Sequence, residues 1–178
     1  EALDATNRGI AALNGKVYIS KHGGSLLEFN GATGELIRTI TLTGDCHTAS
    51  DGTALATYVS NDVFTDDAGN LCVSNLTTKT SEDPITVCTV NLSTGATTRI
   101  FEKYHSTNSR IDYMAARGNV TTANGELWAA AANSTTVFKW TRNSSGSWTE
   151  SSTTIGSYYP TGGVSNNSTA PRIMPISS

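Results

Sequence analysis

The chain of 178 residues is 37% hydrophobic and 15% charged, and its net charge is −3. This length suits one domain with a buried core, and the Lys and Arg residues are too scattered to form a basic surface for nucleic acid. Because Ser, Thr, Asn and Gly replace the charged residues and favour strands and turns over helices, an all-β fold is expected.

The first repeating unit is predicted between residues 8 and 42. Its four strands lie near 8–13, 16–21, 25–30 and 35–42. The Asn14-Gly15 pair between the first two strands suits a tight hairpin, where the backbone needs a positive φ. Gly15, Gly69 and Gly125 are 54 and 56 residues apart, and the same apolar alternation follows each of them. The sequence therefore predicts an internal repeat.

Two further units follow the first one. The second has strands near 57–65, 70–75, 85–91 and 97–103, the third has strands near 113–122, 126–131, 135–142 and 147–154, and a fourth begins at about 157–178. Four-stranded repeats of this length are the blades of a β-propeller, so residues 1–178 are predicted to form part of one propeller domain. A propeller ring needs about four to eight blades. We therefore expect an incomplete ring and a chain that is a fragment of a longer polypeptide.

The stretch TDDAGNLCVS at residues 65–74 admits two interpretations. Asp66, Asp67 and Asn70 around Gly69 could be calcium ligands, or they could form the polar tip of a hairpin. A calcium loop needs acids or amides at alternate positions ahead of its glycine, whereas these two aspartates are adjacent. The hairpin tip is the interpretation that the pattern favours.

Two segments resemble known propeller families. The pair VFTDDAGNLCVSNL resembles the D-x-x-G-N-φ-Y-V signature of NHL and YVTN-type propellers, with Cys72 in place of the tyrosine. The run from 105 to 148 resembles Bacteroidetes cell-surface propeller lipoproteins, largely of unknown function. The residues that carry this resemblance are Arg110, Gly118, Ala130, Ala131, Ser134, Val137 and Trp140. The resemblance implies an extracytoplasmic protein, at the outer-membrane surface or secreted, with a carbohydrate or protein partner.

One face of the predicted propeller carries the candidate ligand-binding residues. It is formed by the loops that join the second and third strands of a blade and by the links between blades. The candidates are His22, His47, Tyr104, His105, Arg110, Tyr158 and Tyr159. Exposed aromatic rings suit the apolar face of a sugar, although these rings could instead pack between blades, and histidines are common in surface loops. Trp128 and Trp140 are predicted to lie in the inter-blade core.

The three cysteines are predicted to differ in exposure. Cys72 and Cys88 align with packing positions of the other units, which indicates small buried side chains. They lie on adjacent strands and could form a disulfide if they face one another. Cys46 falls in a loop and is predicted to be the more exposed thiol.

No nucleotide, metal-protease or nucleophile-elbow motif is found in the sequence, so no cofactor, metal ion or catalytic residue is assigned. No apolar run reaches the roughly 18 residues that span a membrane. The leading hypothesis is a binding or scaffold module that recognises a glycan or belongs to a cell-surface uptake complex. The alternative is a polysaccharide lyase or hydrolase that uses His22, His47, His105 and Arg110, and a purely structural secreted domain is a third possibility.

Overall fold

The computed structural model describes residues 3–55, 58–78, 80–105, 110–132, 135–154 and 173–175. These residues form strands and one short 3-10 helix (Asp45–His47). The strands are β1 (Asn7–Leu13), β2 (Lys16–Lys21), β3 (Ser25–Asn30), β4 (Leu36–Thr41), β5 (Thr43–Gly44), β6 (Asp62–Thr65), β7 (Leu71–Ser74), β8 (Ile85–Val90), β9 (Ala96–Lys103), β10 (Ala115–Arg117), β11 (Glu126–Ala130), β12 (Thr136–Arg142) and β13 (Trp148–Thr154). No helix in these ranges is long and apolar enough to cross a membrane.

Three antiparallel sheets are formed by consecutive strands, in the orders β1-β2-β3-β4, β6-β7-β8-β9 and β10-β11-β12-β13. We call them blades one, two and three. The prediction of an all-β fold of four-stranded propeller blades is therefore confirmed. The predicted fourth blade falls on residues outside the described ranges, apart from 173–175. The short strand β5 was not predicted, and it pairs in parallel with β9 at the outer edge of blade two.

The tight turns have the conformations that their sequences require. Asn14 and Gly15, between β1 and β2, both have positive φ angles of 50° and 73°. Gly95 in the β8–β9 turn has a φ of 78°, and a Cβ atom there would lie 2.0 Å from the carbonyl oxygen of Thr41. Its own carbonyl accepts a hydrogen bond of 3.0 Å from the Thr43 amide. Glycine is thus needed at Gly95 for close packing between blades as well as for the turn.

Two apolar clusters hold the blades together. One cluster joins blades one and two and contains Tyr18 and Leu26, and the other joins blades two and three and contains Phe101 and Trp140. Trp140 is buried as predicted, whereas Trp128 is half-buried, and its assignment to the inter-blade core stays a prediction because the predicted fourth blade lies outside the described residues. Trp128 lies on the opposite face of blade three, which no fourth sheet covers within the described residues.

All three cysteines are free and buried. Cys72 packs in the cluster between blades two and three, and Cys88 packs in the cluster between blades one and two. The two side chains therefore point to opposite faces of blade two and do not meet. Cys46 is 1% exposed within the 3-10 helix, so the prediction of an exposed thiol there is wrong. Burial raises the pKa of the Cys46 thiol.

The hairpin between β6 and β7 explains the two adjacent aspartates. One oxygen of Asp66 accepts hydrogen bonds from the Ala68 and Asn70 amides at 3.0 and 2.8 Å. Its other oxygen accepts one of 3.0 Å from the Val120 amide of blade three. Asp67 accepts a hydrogen bond of 2.6 Å from the Gly118 amide. These carboxylates organise a hairpin tip and connect it to the next blade, as the favoured interpretation requires.

Candidate functional site

The three first strands of the blades, β1, β6 and β10, are neighbours at the centre of the molecule. Each begins at the loop face, which comprises the turns between second and third strands and the links between blades. The register pairs Ala11 with Tyr18, Phe64 with Cys72 and Ala115 with Trp128. Ala11, Phe64 and Ala115 are thus equivalent positions in the first strands. The residues three positions before them are Arg8, Asn61 and Asp112, which are therefore equivalent to one another. With His22 and Arg110 they form the group that we call the channel mouth.

Arg8 and His22 are joined directly. Arg8 Nε donates a hydrogen bond of 2.7 Å to His22 Nε2. Because a guanidinium group only donates, Nε2 must be the accepting nitrogen, and the neutral ring carries its proton on Nδ1. Burial and the Arg8 charge lower the pKa of His22, while the Asn61 side chain raises it to a smaller extent. The Tyr58 ring packs edge-on against the imidazole at 4.3 Å. His22 is thus a neutral imidazole at neutral pH, which is the form that can accept a proton.

Asn61 connects the three blades beneath His22. Its backbone carbonyl accepts a hydrogen bond of 3.1 Å from Ser20 Oγ of blade one, and its Nδ2 donates one of 2.7 Å to the Asp112 carbonyl ahead of blade three. The residue is 1% exposed. Its Oδ1 is buried and has no hydrogen-bond partner in the part of the chain that the structure describes.

Arg110 and Asp112 are the other charged residues of the channel mouth, and Asp62 lies beneath them. Arg110 Nε lies 2.7 and 3.0 Å from the two carboxylate oxygens of Asp112. The buried Asp62 accepts a hydrogen bond of 3.1 Å from the Met114 amide. A Cβ atom on Gly9 would lie 2.4 Å from Asp62 Oδ1, so blade one approaches this carboxylate closely only because residue 9 is glycine.

A cavity of about 400 Å³ with a mixed polar and apolar lining lies along the first strands. Its walls include Ala11, Phe64, Met114 and Ala115, and Ile173 contributes from the C-terminal segment. A volume of this order is in the range of small-molecule pockets.

The residues predicted from sequence lie in separate places. His22 and Arg110 belong to the channel mouth, and Tyr158 and Tyr159 fall outside the described residues. His47 Nε2 lies 2.9 Å from the Leu42 carbonyl oxygen behind the β2–β3 turn. Tyr104 is 42% exposed on the outer part of the loop face, where Asp51 is its neighbour.

His105 lies between blades two and three rather than beside the other two histidines. Its Nε2 is 3.2 Å from Glu150 Oε1, and its ring packs against Phe138 at 4.8 Å. Within the described ranges, no group of three or more His, Cys, Asp or Glu side chains is placed to hold a metal ion. Whether any of the sequence candidates binds a ligand stays a prediction.

Sequence analysis missed Arg8, Asn61 and Asp112. They lack a motif of their own, and their types differ from blade to blade. The signal that could have found them is their common position in the repeat. Tyr18, Cys72 and Trp128 are aligned, and each pairs with a residue of the first strand of its blade. Each missed residue lies three positions before that partner. A search by position in the repeat would have placed all three at the same end of the first strands.

The fold is shared with solved bacterial proteins. No protein-family model and no curated protein matches the chain. A protein from Bacteroides fragilis, provisionally named a 6-phosphogluconolactonase, superposes with a TM-score of 0.50 and 17% identity, over 84% of this chain and 39% of its own. A protein from Bacteroides uniformis with the same provisional name gives 0.52 and 19%, over 86% and 43%. The chain thus spans about two fifths of the length of these proteins, and the likeness is one of fold.

These comparisons correct the functional prediction. The binding or scaffold module predicted from sequence is wrong, because the solved proteins with this fold carry the name of a hydrolase of carbohydrate metabolism. The alternative, a polysaccharide lyase or hydrolase, agrees with these names only in being an enzyme that acts on carbohydrate, and its polysaccharide substrate stays untested. The resemblance to cell-surface propeller lipoproteins is confirmed only for its coarser part, the propeller-like all-β fold.

Proposed function

We propose that the channel mouth binds an anionic sugar-acid lactone and hydrolyses its ring ester. The observation that carries the proposal is the direct contact between Arg8, an exposed cation, and His22, a neutral imidazole, where the first strand of blade one begins. The provisional name of the two solved proteins supplies the substrate class. Since this chain spans about two fifths of their length, the activity is proposed for the natural polypeptide that contains it.

The chemistry needs a base, a positioned carbonyl and water. His22 Nε2 takes a proton from a water molecule as the water oxygen attacks the lactone carbonyl carbon. The bond between that carbon and the ring oxygen then breaks, and the ring oxygen leaves as an alcohol after it receives the proton from His22. The products are a hydroxyl group and a carboxylic acid on one open-chain molecule, and the acid releases its proton to solvent to become a carboxylate. Water is the only other reactant.

Arg8 has two functions in this scheme. Its guanidinium group can bind a phosphate or carboxylate group of the substrate with paired N–H donors. When Arg8 turns toward that anion, the hydrogen bond to His22 opens and Nε2 becomes available to water. Arg110 is held by Asp112 at the same mouth, so its charge is largely balanced before a ligand arrives.

The experiment is the hydrolysis of 6-phosphogluconolactone by the natural polypeptide, followed as acid release and corrected for spontaneous ring opening. We expect a saturable rate above the spontaneous one. Replacing His22 by Gln should lower kcat by roughly 10²- to 10⁴-fold. Tyr104→Phe is the matched control, because Tyr104 lies on the same face outside the channel mouth. A rate no faster than the spontaneous one, for both the phosphorylated and the neutral lactone, would exclude the proposed function.

We also propose an extracytoplasmic location, supported by the sequence resemblance alone. Cell fractionation with an antibody against the protein tests it. Recovery of the protein in the cytoplasmic fraction, together with a cytoplasmic marker, would reject it.

A further inference from the structure

We propose that Asn61 is a positioning residue for His22, whose Oδ1 accepts a hydrogen bond from the imidazole Nδ1–H and so keeps Nε2 as the basic nitrogen. The catalytic meaning of this contact rests on the proposed function. The contact itself does not, because the tautomer of His22 can be measured without any substrate.

The orientation of the Asn61 amide is fixed by its neighbour. The Asp112 carbonyl can only accept a hydrogen bond, so the amide nitrogen must face it, and the distance is 2.7 Å. The amide oxygen is therefore directed away from Asp112. This oxygen is buried without a partner in the described part of the chain, which is unfavourable for an acceptor removed from water.

The imidazole of His22 has a hydrogen-bond donor that requires an acceptor. Nε2 of His22 receives the hydrogen bond from Arg8, so the ring proton is on Nδ1 and requires an acceptor. A buried amide oxygen without a donor and an imidazole N–H that needs an acceptor are thus present in the same small region.

Backbone contacts place these two groups side by side. Ser60 Oγ donates a hydrogen bond of 2.6 Å to the Lys21 carbonyl and accepts one of 3.1 Å from the Gly24 amide. The residues on both sides of His22 are therefore fixed to the residue that precedes Asn61. The influence of the Asn61 side chain on the pKa of His22 is that of an acceptor near the ring.

Nitrogen NMR of the histidines in the ¹⁵N-labelled natural polypeptide tests the proposal. The His22 signals are identified by their loss in His22→Gln. In the wild-type protein we expect His22 as the Nδ1–H tautomer. In Asn61→Ala we expect a mixture of tautomers, and a kcat for the lactone that is lower by roughly tenfold with little change in KM, as is typical when the partner that orients a histidine is lost.

Ser74→Ala is the matched control. Within the described residues, Ser74 Oγ is another buried oxygen without a partner, and Ser74 lies on the strand that pairs with Asp62. This variant should leave the His22 tautomer unchanged.

A wild-type His22 in the Nε2–H form, or an Asn61→Ala spectrum identical to that of wild type, would overturn the proposal. If Asn61→Ala does not fold, the His22 tautomer of Arg8→Ala decides, because this variant keeps Asn61 and removes the other contact that favours Nδ1–H. If His22 is in the Nδ1–H form but the protein hydrolyses no lactone, the proposed function is refuted. The role of Asn61 in positioning His22 is not affected by that result.

Discussion

Arg8 Nε lies 2.7 Å from Nε2 of His22, and this hydrogen bond exists only while the imidazole is unprotonated. Protonation of His22 would replace it with the repulsion of two cations. The contact therefore couples the protonation of one side chain to the geometry of the channel mouth.

The stability of the protein should depend on pH through His22. Burial and Arg8 lower its pKa in the folded state below the ordinary value of 6.5. Above 6.5 the ring is neutral in both the folded and the unfolded chain. As the pH falls below 6.5 the unfolded chain takes up the proton first, so the free energy of unfolding falls until the folded-state pKa is reached.

Urea unfolding of wild type and His22→Gln at pH 7.5, 6.5 and 5.5 measures this effect. The difference in the free energy of unfolding between the two proteins isolates His22 from the carboxylates. We expect wild type to lose more stability than the variant between pH 6.5 and 5.5. Equal losses in both proteins would show that the folded-state pKa is not lowered.

Arg8→Ala should weaken binding of an anionic lactone far more than of a neutral one. A hydrogen bond to a charged group contributes about 1.5–3 kcal/mol, so KM for 6-phosphogluconolactone should rise by roughly 10- to 100-fold. KM for the unphosphorylated lactone should change little. Arg117→Ala, at the opposite end of β10, removes the same charge away from the mouth and serves as the control. Parallel changes for both substrates would contradict the role given to Arg8.

The two tryptophans of blade three should differ in their importance for stability. Trp140 is 1% exposed, packs at 5.0 Å from the Phe101 ring and donates a hydrogen bond of 2.8 Å to Glu150. Trp140→Ala should lower the free energy of unfolding by about 3–5 kcal/mol. Trp128→Ala should cost clearly less, because Trp128 is half-buried on a face that no fourth sheet covers among the described strands. Urea denaturation at pH 7.5 compares them, and equal losses would mean that Trp128 is also fully packed.

Gly34 and Gly95 occupy the same turn in blades one and two and form a second matched pair. Both have positive φ angles, 72° and 78°. A Cβ atom on Gly34 meets nothing within 4 Å, whereas one on Gly95 would meet the Thr41 carbonyl oxygen at 2.0 Å. Gly34→Ala should therefore cost about 1 kcal/mol, the ordinary penalty of a left-handed alanine.

Gly95→Ala should cost more than twice as much as Gly34→Ala, because the backbone must move away from the link between β4 and β5. The hydrogen bond from the Thr43 amide to the Gly95 carbonyl would be strained or lost as well. Thermal unfolding followed by circular dichroism gives both values. Similar melting temperatures for the two variants would show that blades one and two can separate without cost at this point.

Most strand positions could be predicted because they depend on neighbours in sequence. The alternation after Gly15, Gly69 and Gly125 reflects hairpins, whose turns and strands are encoded within about 15 residues. The first strands of blades two and three are the exception. Strand β6 begins only at Asp62, and the Asn61 carbonyl just before it accepts a hydrogen bond from Ser20 Oγ of blade one, a contact that no local pattern shows.

The sequence by itself determined that the chain is built of four-stranded antiparallel sheets, where their turns lie, and that Asp66 and Asp67 belong to a hairpin tip. Only the tertiary structure decided which polar residues meet at the channel mouth, because Asn61 and Asp112 are 51 residues apart and their contact has no local pattern. It also decided that Cys46 is buried and that Trp128 is half-buried. Burial of a side chain in a propeller depends on whether another blade covers its face, and that is a property of the packed blades.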